Sequence, residues 1–186
     1  MILNIITLPQ REDRRALFER ELIFNNIFEY IVWHGYTSSN HSFVNIRNSH
    51  QSIVRAAKDA KMKEVLIAED DFKLLGAGAY EYFLNNKPDD YDIYLGGIMD
   101  GSIDGNNVVT DFFCGLTMYM VHERFYDKFL SIHKFGNLDR LLSGMGKFVV
   151  CNPMVVSQHG GYSDNKKQIV QSYDQKLIGR NIWQQE

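Results

Sequence analysis

The sequence predicts an α/β fold built on a mostly parallel sheet, and three observations carry that expectation. Short apolar, β-branched runs at Ile2–Leu8, Phe28–Trp33 and Val65–Ala68 alternate with helical patterns. Strand, helix, strand, helix, strand is the order of parallel strands joined by crossover helices. The third run, Val65-Leu66-Ile67-Ala68, stops abruptly at Glu69, Asp70 and Asp71. A buried unpaired charge costs on the order of several kcal/mol, so these carboxylates cannot follow the strand into a core. They must emerge at its carboxyl end, the edge at which open α/β sheets bind their ligands.

Taken in order, Ile2 to Leu8 is bounded by Pro9 and reads as a central strand. A helix follows, with Leu17, Phe18, Leu22 and Ile23 on one side and Arg11 and Arg14 projecting together from its start. Cations are unfavourable at the positive end of a helix dipole. The arginines therefore point to an anion held just past the first strand, unless Glu12 and Asp13 merely neutralise them. After the second strand, His34 to Phe43 reads as a polar loop. Asn48 or Ser49 then caps a helix to about Lys61, with Ile53, Val54 and Ala57 on its buried stripe and His50 in its first turn, facing the loop.

Beyond Phe72, Ala77 to Asn86 reads as a helix and Tyr91 to Leu95 as a strand. That strand closes in Gly96-Gly97, where backbone can approach a ligand closely. Asp100 to Asn107 is loop-like, either a lid or a surface turn. Leu116 to Val121 reads as a strand and His122 to Ile132 as an amphipathic helix. A short helix begins near Asp139, Lys147 to Cys151 is a late strand, and Pro153 to His159 is extended before Gly160-Gly161. With no repeat or linker, residues 1–186 read as one domain, with 162–186 a peripheral tail.

The chain's 186 residues suffice for a proper core, and 45% hydrophobic with 23% charged residues is ordinary for a soluble globular protein. A formal net charge of -3 argues against non-specific nucleic-acid binding. No apolar run reaches membrane-spanning length. Met1 to Ile6 lacks a basic region and a cleavage site, so it reads as a first strand rather than a signal peptide. Cys114 and Cys151 have no metal-type spacing and read as free thiols of a reducing cytoplasm.

Side chains alternate along an extended chain, so Glu69 and Asp71 point one way and Asp70 the other. Hard oxygen ligands at such a rim suit Mg²⁺ or Mn²⁺, and the ion in turn suits a phosphate. The alternative is a solvated acidic turn.

With these pieces in order the sequence resembles glycosyltransferase family 25, the bacterial lipopolysaccharide galactosyltransferases and their relatives. Thr7-Leu8-Pro9-Gln10-Arg11-Glu12-Asp13-Arg14 is similar to the family's opening Asn-Leu-x-x-Arg-x-x-Arg, with Thr7 in place of Asn. Ser49-His50 matches its Ser-His pair and Glu69-Asp70-Asp71 its Glu-Asp-Asp. Tyr91 to Gly96 looks like its next strand, Met118-Tyr119-Met120-Val121 like its Ala-Tyr strand, and Asp139 like its late aspartate. The resemblance spans about the first four-fifths of the chain.

It implies a GT-A-like three-layer α/β sandwich that transfers a hexose from a UDP-sugar to a glycan or lipid-linked glycan, with inversion. It assigns Thr7, Leu8, Arg11, Arg14, Ser49, His50, Asp70, Gly96 and Gly97 to the nucleotide-sugar. Glu69 and Asp71 would hold the divalent ion, with His159 completing the shell. An inverting transfer needs a base opposite the leaving group. Asp139 is the first choice and Asp100 the second, with a helix-capping role the alternative for Asp139. The setting would be cytoplasmic, with peripheral contact at the inner membrane face left open, although no basic amphipathic helix argues for it. A receiver domain is a poor rival, because Gly97 stands where its phospho-acceptor aspartate would fall. A second rival is a GT-A fold that binds nucleotide-sugar or glycan without catalysis.

Overall fold

The computed structural model describes residues 1–164, 166–177 and 180–184. The chain opens with β1 (Leu3–Thr7), whose Leu3 and Ile5 are fully buried. Next come α1 (Glu12–Phe24), β2 (Tyr30–His34), α2 (Ser42–Asp59) and β3 (Glu64–Glu69). β1 pairs in parallel with both β2 and β3, as the order of elements predicts.

Helix α2 starts earlier than expected, at Ser42, so Asn48 and Ser49 lie inside it rather than at its cap. The buried set Arg47, His50, Ile53, Val54 and Ala57 shows why: the helical period runs upstream through both polar residues. Ser49 instead turns its hydroxyl back onto the Asn45 carbonyl at 2.8 Å. His50 consequently faces the sheet, not the loop.

The second half contributes β4 (Phe72–Leu74), α3 (Ala79–Asn85), β5 (Ile93–Leu95) and β6 (Met118–His122). A 3-10 turn at Glu123–Phe125 leads into α4 (Tyr126–Leu130), and α5 (Leu138–Leu142), β7 (Phe148–Val150) and β8 (Val156–Gln158) follow. A hairpin of β9 (Gly161–Ser163) and β10 (Gln168–Val170) precedes a last 3-10 turn at Tyr173–Leu177.

The central sheet has the order β2-β1-β3-β6-β5-β7. β6 alone is reversed, antiparallel to both β3 and β5. Period-two alternation sorts its side chains onto two faces. Val65, Ile67, Tyr119 and Val121 pack against α2, α4 and α5. Leu3, Ile5, Leu66, Ala68 and Met120 pack against Phe18 and Leu22 of α1 and Phe83 of α3. This is the expected class: three layers, α/β, with a mostly parallel central sheet.

Two expectations need correction. Gly96 and Gly97 admit the protein's own backbone rather than a ligand. The Val155 amide donates to the Gly96 carbonyl at 2.8 Å, and a Cβ on Gly97 would lie 2.6 Å from the Val156 carbonyl. The segment after Tyr162 is not merely peripheral where it is described. Leu177 is buried, the Trp183 ring tilts against Tyr82 at 4.5 Å, and its indole N–H donates to the Ala77 carbonyl at 3.1 Å. These apolar residues stand singly among polar ones, so no local period announces them.

Candidate active site

Five strand ends deliver the site, because β1, β2, β3, β5 and β7 all point their carboxyl ends to one rim. The reversed β6 begins at that same rim, with the Glu69 amide donating to the Thr117 carbonyl at 2.9 Å.

The acids divide as strand alternation demands. Glu69 continues the Val65–Ile67 face and meets α2; Asp70 continues the Leu66–Ala68 face and meets α1. The Thr7 hydroxyl donates to Asp70 Oδ2 at 2.7 Å, and Arg14 Nη1 to Asp70 Oδ1 at 2.7 Å. Asp71 sits in the turn between β3 and β4 and touches both sides. Its Oδ2 accepts from Arg14 Nη1 at 2.8 Å, and its Oδ1 from Gln158 Nε2 at 3.4 Å. The same Gln158 nitrogen donates to Glu69 Oε2 at 3.2 Å. Two carboxylates thus converge on one donor.

Electrostatically the cluster is short of positive charge. Asp71 is 15% exposed and Glu69 28%. Burial first, then the Glu69 charge, pushes the Asp71 carboxyl up to about 7, against the pull of Arg14. Burial also raises Asp70, with Arg14 and Thr7 opposing it. Arg14 is the cation that keeps the pair together, and its Nη2 donates to the Tyr162 carbonyl at 3.0 Å. Removing the Arg14 charge from such a buried cluster typically costs about 3–5 kcal/mol.

Arg11, the other arginine of the opening motif, caps α1 and is occupied elsewhere. Its guanidinium grips Asp13 at 2.7 and 2.8 Å and also pairs with Asp164 beyond β9. The neutralising role of Asp13 is therefore part of the arrangement. Leu8 and Ser49 lie behind the rim under the loop from β2 to α2, where Ser49 Oγ accepts the Tyr36 amide at 2.8 Å. His159 does not join the acids: its ring Nε2 lies 2.8 Å from Glu21 Oε1, and only its backbone N–H reaches the Asp71 carbonyl. Strand alternation lets one of Gln158 and His159 face Asp71, and it is Gln158.

Across the rim, Asp139 lies in the first turn of α5, with Oδ1 accepting its neighbour Arg140's amide at 2.8 Å and Oδ2 the Gly115 amide at 3.3 Å. Asp100 accepts from Arg140 Nη2 at 2.8 Å. Cys114 lies beside Asp139 and bridges Asp100 through its backbone. Burial, then Asp139, raises its thiol to about 12, with Glu69 adding to the push.

Among the described residues, no three His, Cys, Asp or Glu side chains converge as a ready metal cage. Glu69 and Asp71 nonetheless fit the mode in which Mg²⁺ or Mn²⁺ takes one or two carboxylates and completes its shell with water and substrate phosphate. Sequence reasoning gave no site role to Gln158, Tyr119 or Asp164. Tyr119 carried a signal in its match to the Ala-Tyr strand, and Gln158 in its place one residue from His159 in an extended segment.

No family model and no curated protein matches this sequence. Among solved structures, A197 from STIV is similar with a TM-score of 0.54 and 11% identity, over 100% of this chain and 97% of that one. A glycosyltransferase involved in the glycosylation of the major capsid of PBCV-1 gives 0.49 at 10% identity, over 82% and 81% of the two chains. The galactosyltransferase LgtC, in complex with donor and acceptor sugar analogs, gives 0.48 at 10%, over 82% and 73%. The likeness to A197 is one of fold. A three-layer α/β sandwich with a mostly parallel sheet is the architecture observed.

Proposed function

We propose that this chain is a glycosyltransferase. It moves a galactose-like hexose from a UDP-sugar to a glycan or lipopolysaccharide-type acceptor, with the help of a divalent cation and with inversion. The observation that carries the reading is the convergence of Glu69 and Asp71 on a single point of the sheet's rim, with Arg14 behind them. Glu69 and Asp71 would hold the ion, which when bound stabilises charge on the departing diphosphate. Thr7 and Arg14 orient Asp70 and Asp71.

On the acceptor side, Asp139 is held by two backbone amides, so its carboxylate is oriented before substrate arrives. The acceptor oxygen bonds to the anomeric carbon as the bond to the phosphate oxygen breaks, and the hydroxyl proton passes to Asp139. General-base assistance of this kind contributes about 10²–10⁴-fold. Asp100, one salt bridge away on Arg140, is the alternative base. The setting is cytoplasmic and leaves room for a lipid-linked acceptor at the inner membrane face. No described helix is long and apolar enough to cross a membrane.

A second reading, a binding module without turnover, is favoured by one observation: Arg11 and Arg14 are both engaged by carboxylates of their own chain. Calorimetric titration with UDP-galactose and Mn²⁺, followed by an assay for released UDP, separates the two. Mn²⁺-dependent release supports the transferase. Tight binding without release under any acceptor supports the module, and absence of Mn²⁺-dependent nucleotide binding defeats both.

A further inference from the structure

We infer that Tyr119 and His50 form a buried relay that fixes the orientation of the Glu69 carboxylate, making both of them positioning residues rather than contacts of the nucleotide-sugar. The Tyr119 oxygen lies 2.6 Å from His50 Nδ1, and His50 Nε2 lies 3.3 Å from Glu69 Oε1. His50 is 1% exposed and Tyr119 is not exposed at all, so neither side chain is placed to meet a ligand directly. Their rings run nearly parallel, 26° apart with centroids at 5.8 Å, and Phe129 lies at 17° to Tyr119. Aromatic packing therefore holds the geometry.

The direction of the relay follows from satisfying every polar atom. Were Nδ1–H to donate to the phenol oxygen, the Nε2 lone pair would face a carboxylate oxygen. The arrangement that pairs all three groups has the Tyr119 hydroxyl donating to Nδ1 and Nε2–H donating to Glu69 Oε1. Burial and the Glu69 charge keep the Tyr119 phenol protonated and available as a donor. Gln158 Nε2 holds the other oxygen, Oε2. With both oxygens bound, the carboxylate presents Oε2 toward Asp71 in one rotamer.

The relay itself stands on these contacts alone; its consequence for an ion rests on the transferase reading above. Outer partners of this kind are typically worth about 10–100-fold in metal affinity. Tyr119→Phe deletes one oxygen and keeps the packed ring. The experiment measures Mn²⁺ affinity by electron paramagnetic resonance in the wild type, Tyr119→Phe, Glu69→Gln and the double variant, beside ¹⁵N NMR of histidine-labelled protein. The expected result is an Nε2–H tautomer at His50 in the wild type and mixed tautomers in Tyr119→Phe. Mn²⁺ affinity falls about tenfold on Tyr119→Phe, with no further loss when the same change is made in Glu69→Gln. Losses that simply multiply, or an Nδ1–H tautomer in the wild type, overturn the relay. If the wild type binds no Mn²⁺, the metal reading fails, and the tautomer spectrum alone decides the relay.

Discussion

Replacing Asp71 by Asn should stabilise the protein at alkaline pH and leave it nearly unchanged at acid pH. The Asp71 carboxyl rises from 3.8 to about 7, chiefly through burial and then through Glu69. At about 1.4 kcal/mol per pH unit, its ionised form costs the folded state about 4 kcal/mol. Because the folded value lies above the unfolded one, this group's favourable contribution is complete below pH 3.8. It is lost as the pH climbs through about 7. Asn carries no charge to desolvate and still offers Arg14 an oxygen. The attraction to Arg14 is already counted in the rise to about 7, so the net gain at pH 8 is about 4 kcal/mol. For a chain of this size such a gain raises Tm by about 8–16 °C. Urea denaturation of both proteins at pH 4, 6 and 8 reads the difference directly. Saturating Mn²⁺ at about 100 times its Kd should return about 2.7 kcal/mol to the wild type and nothing to the variant. A stability difference that is the same at all three pH values would refute the claim that Asp71 is strained by its own ionisation.

Other outcomes follow from features already described. Asp139→Asn should lower kcat by about 10²–10⁴-fold with KM for the UDP-sugar little changed, in an assay for released UDP. An unchanged kcat would move the base to Asp100. Gly97→Ala forces a Cβ to 2.6 Å from the Val156 carbonyl and should cost about 1–3 kcal/mol in a urea melt. Trp183→Ala removes the ring packed on Tyr82 and the bond to Ala77. Its expected cost is about 2–3 kcal/mol, and a change within 0.5 kcal/mol would show the segment after Tyr162 to be dispensable for stability.

The first half of the molecule could be read from its residues because its logic is local. β1, β2 and β3 are short apolar runs with helices between them, and carboxylates at the end of a buried strand have only one place to go. Alternation separated Glu69 from Asp70 before any coordinates were needed. It could not place Asp71, because the chain turns there and the period of two ends. Reversal of β6 left no trace in sequence: a strand buried on both faces has the same composition in either direction. The contacts of His159 and Gln158 depend on β8 pairing with β4, residues far apart in the chain, and Asp164 reaches Arg11 across a longer separation still. His50 was misplaced for a different reason. Asn48 and Ser49 look like a cap, but the buried stripe of α2 extends past them, and burial outweighed a weak local preference.

The antiparallel setting of β6 has a consequence for how this architecture can be varied. The stretch between Leu95 and Met118 leaves the sheet and re-enters it at the same border, without crossing a face. Val108 and Val149 bridge its stem to β7, while the tip around Gly105 has open space about it. Each doubling of such an excursion costs only about 0.6 kcal/mol in closure entropy. The stretch can therefore be lengthened or exchanged at Gly105 while the six strands keep their register.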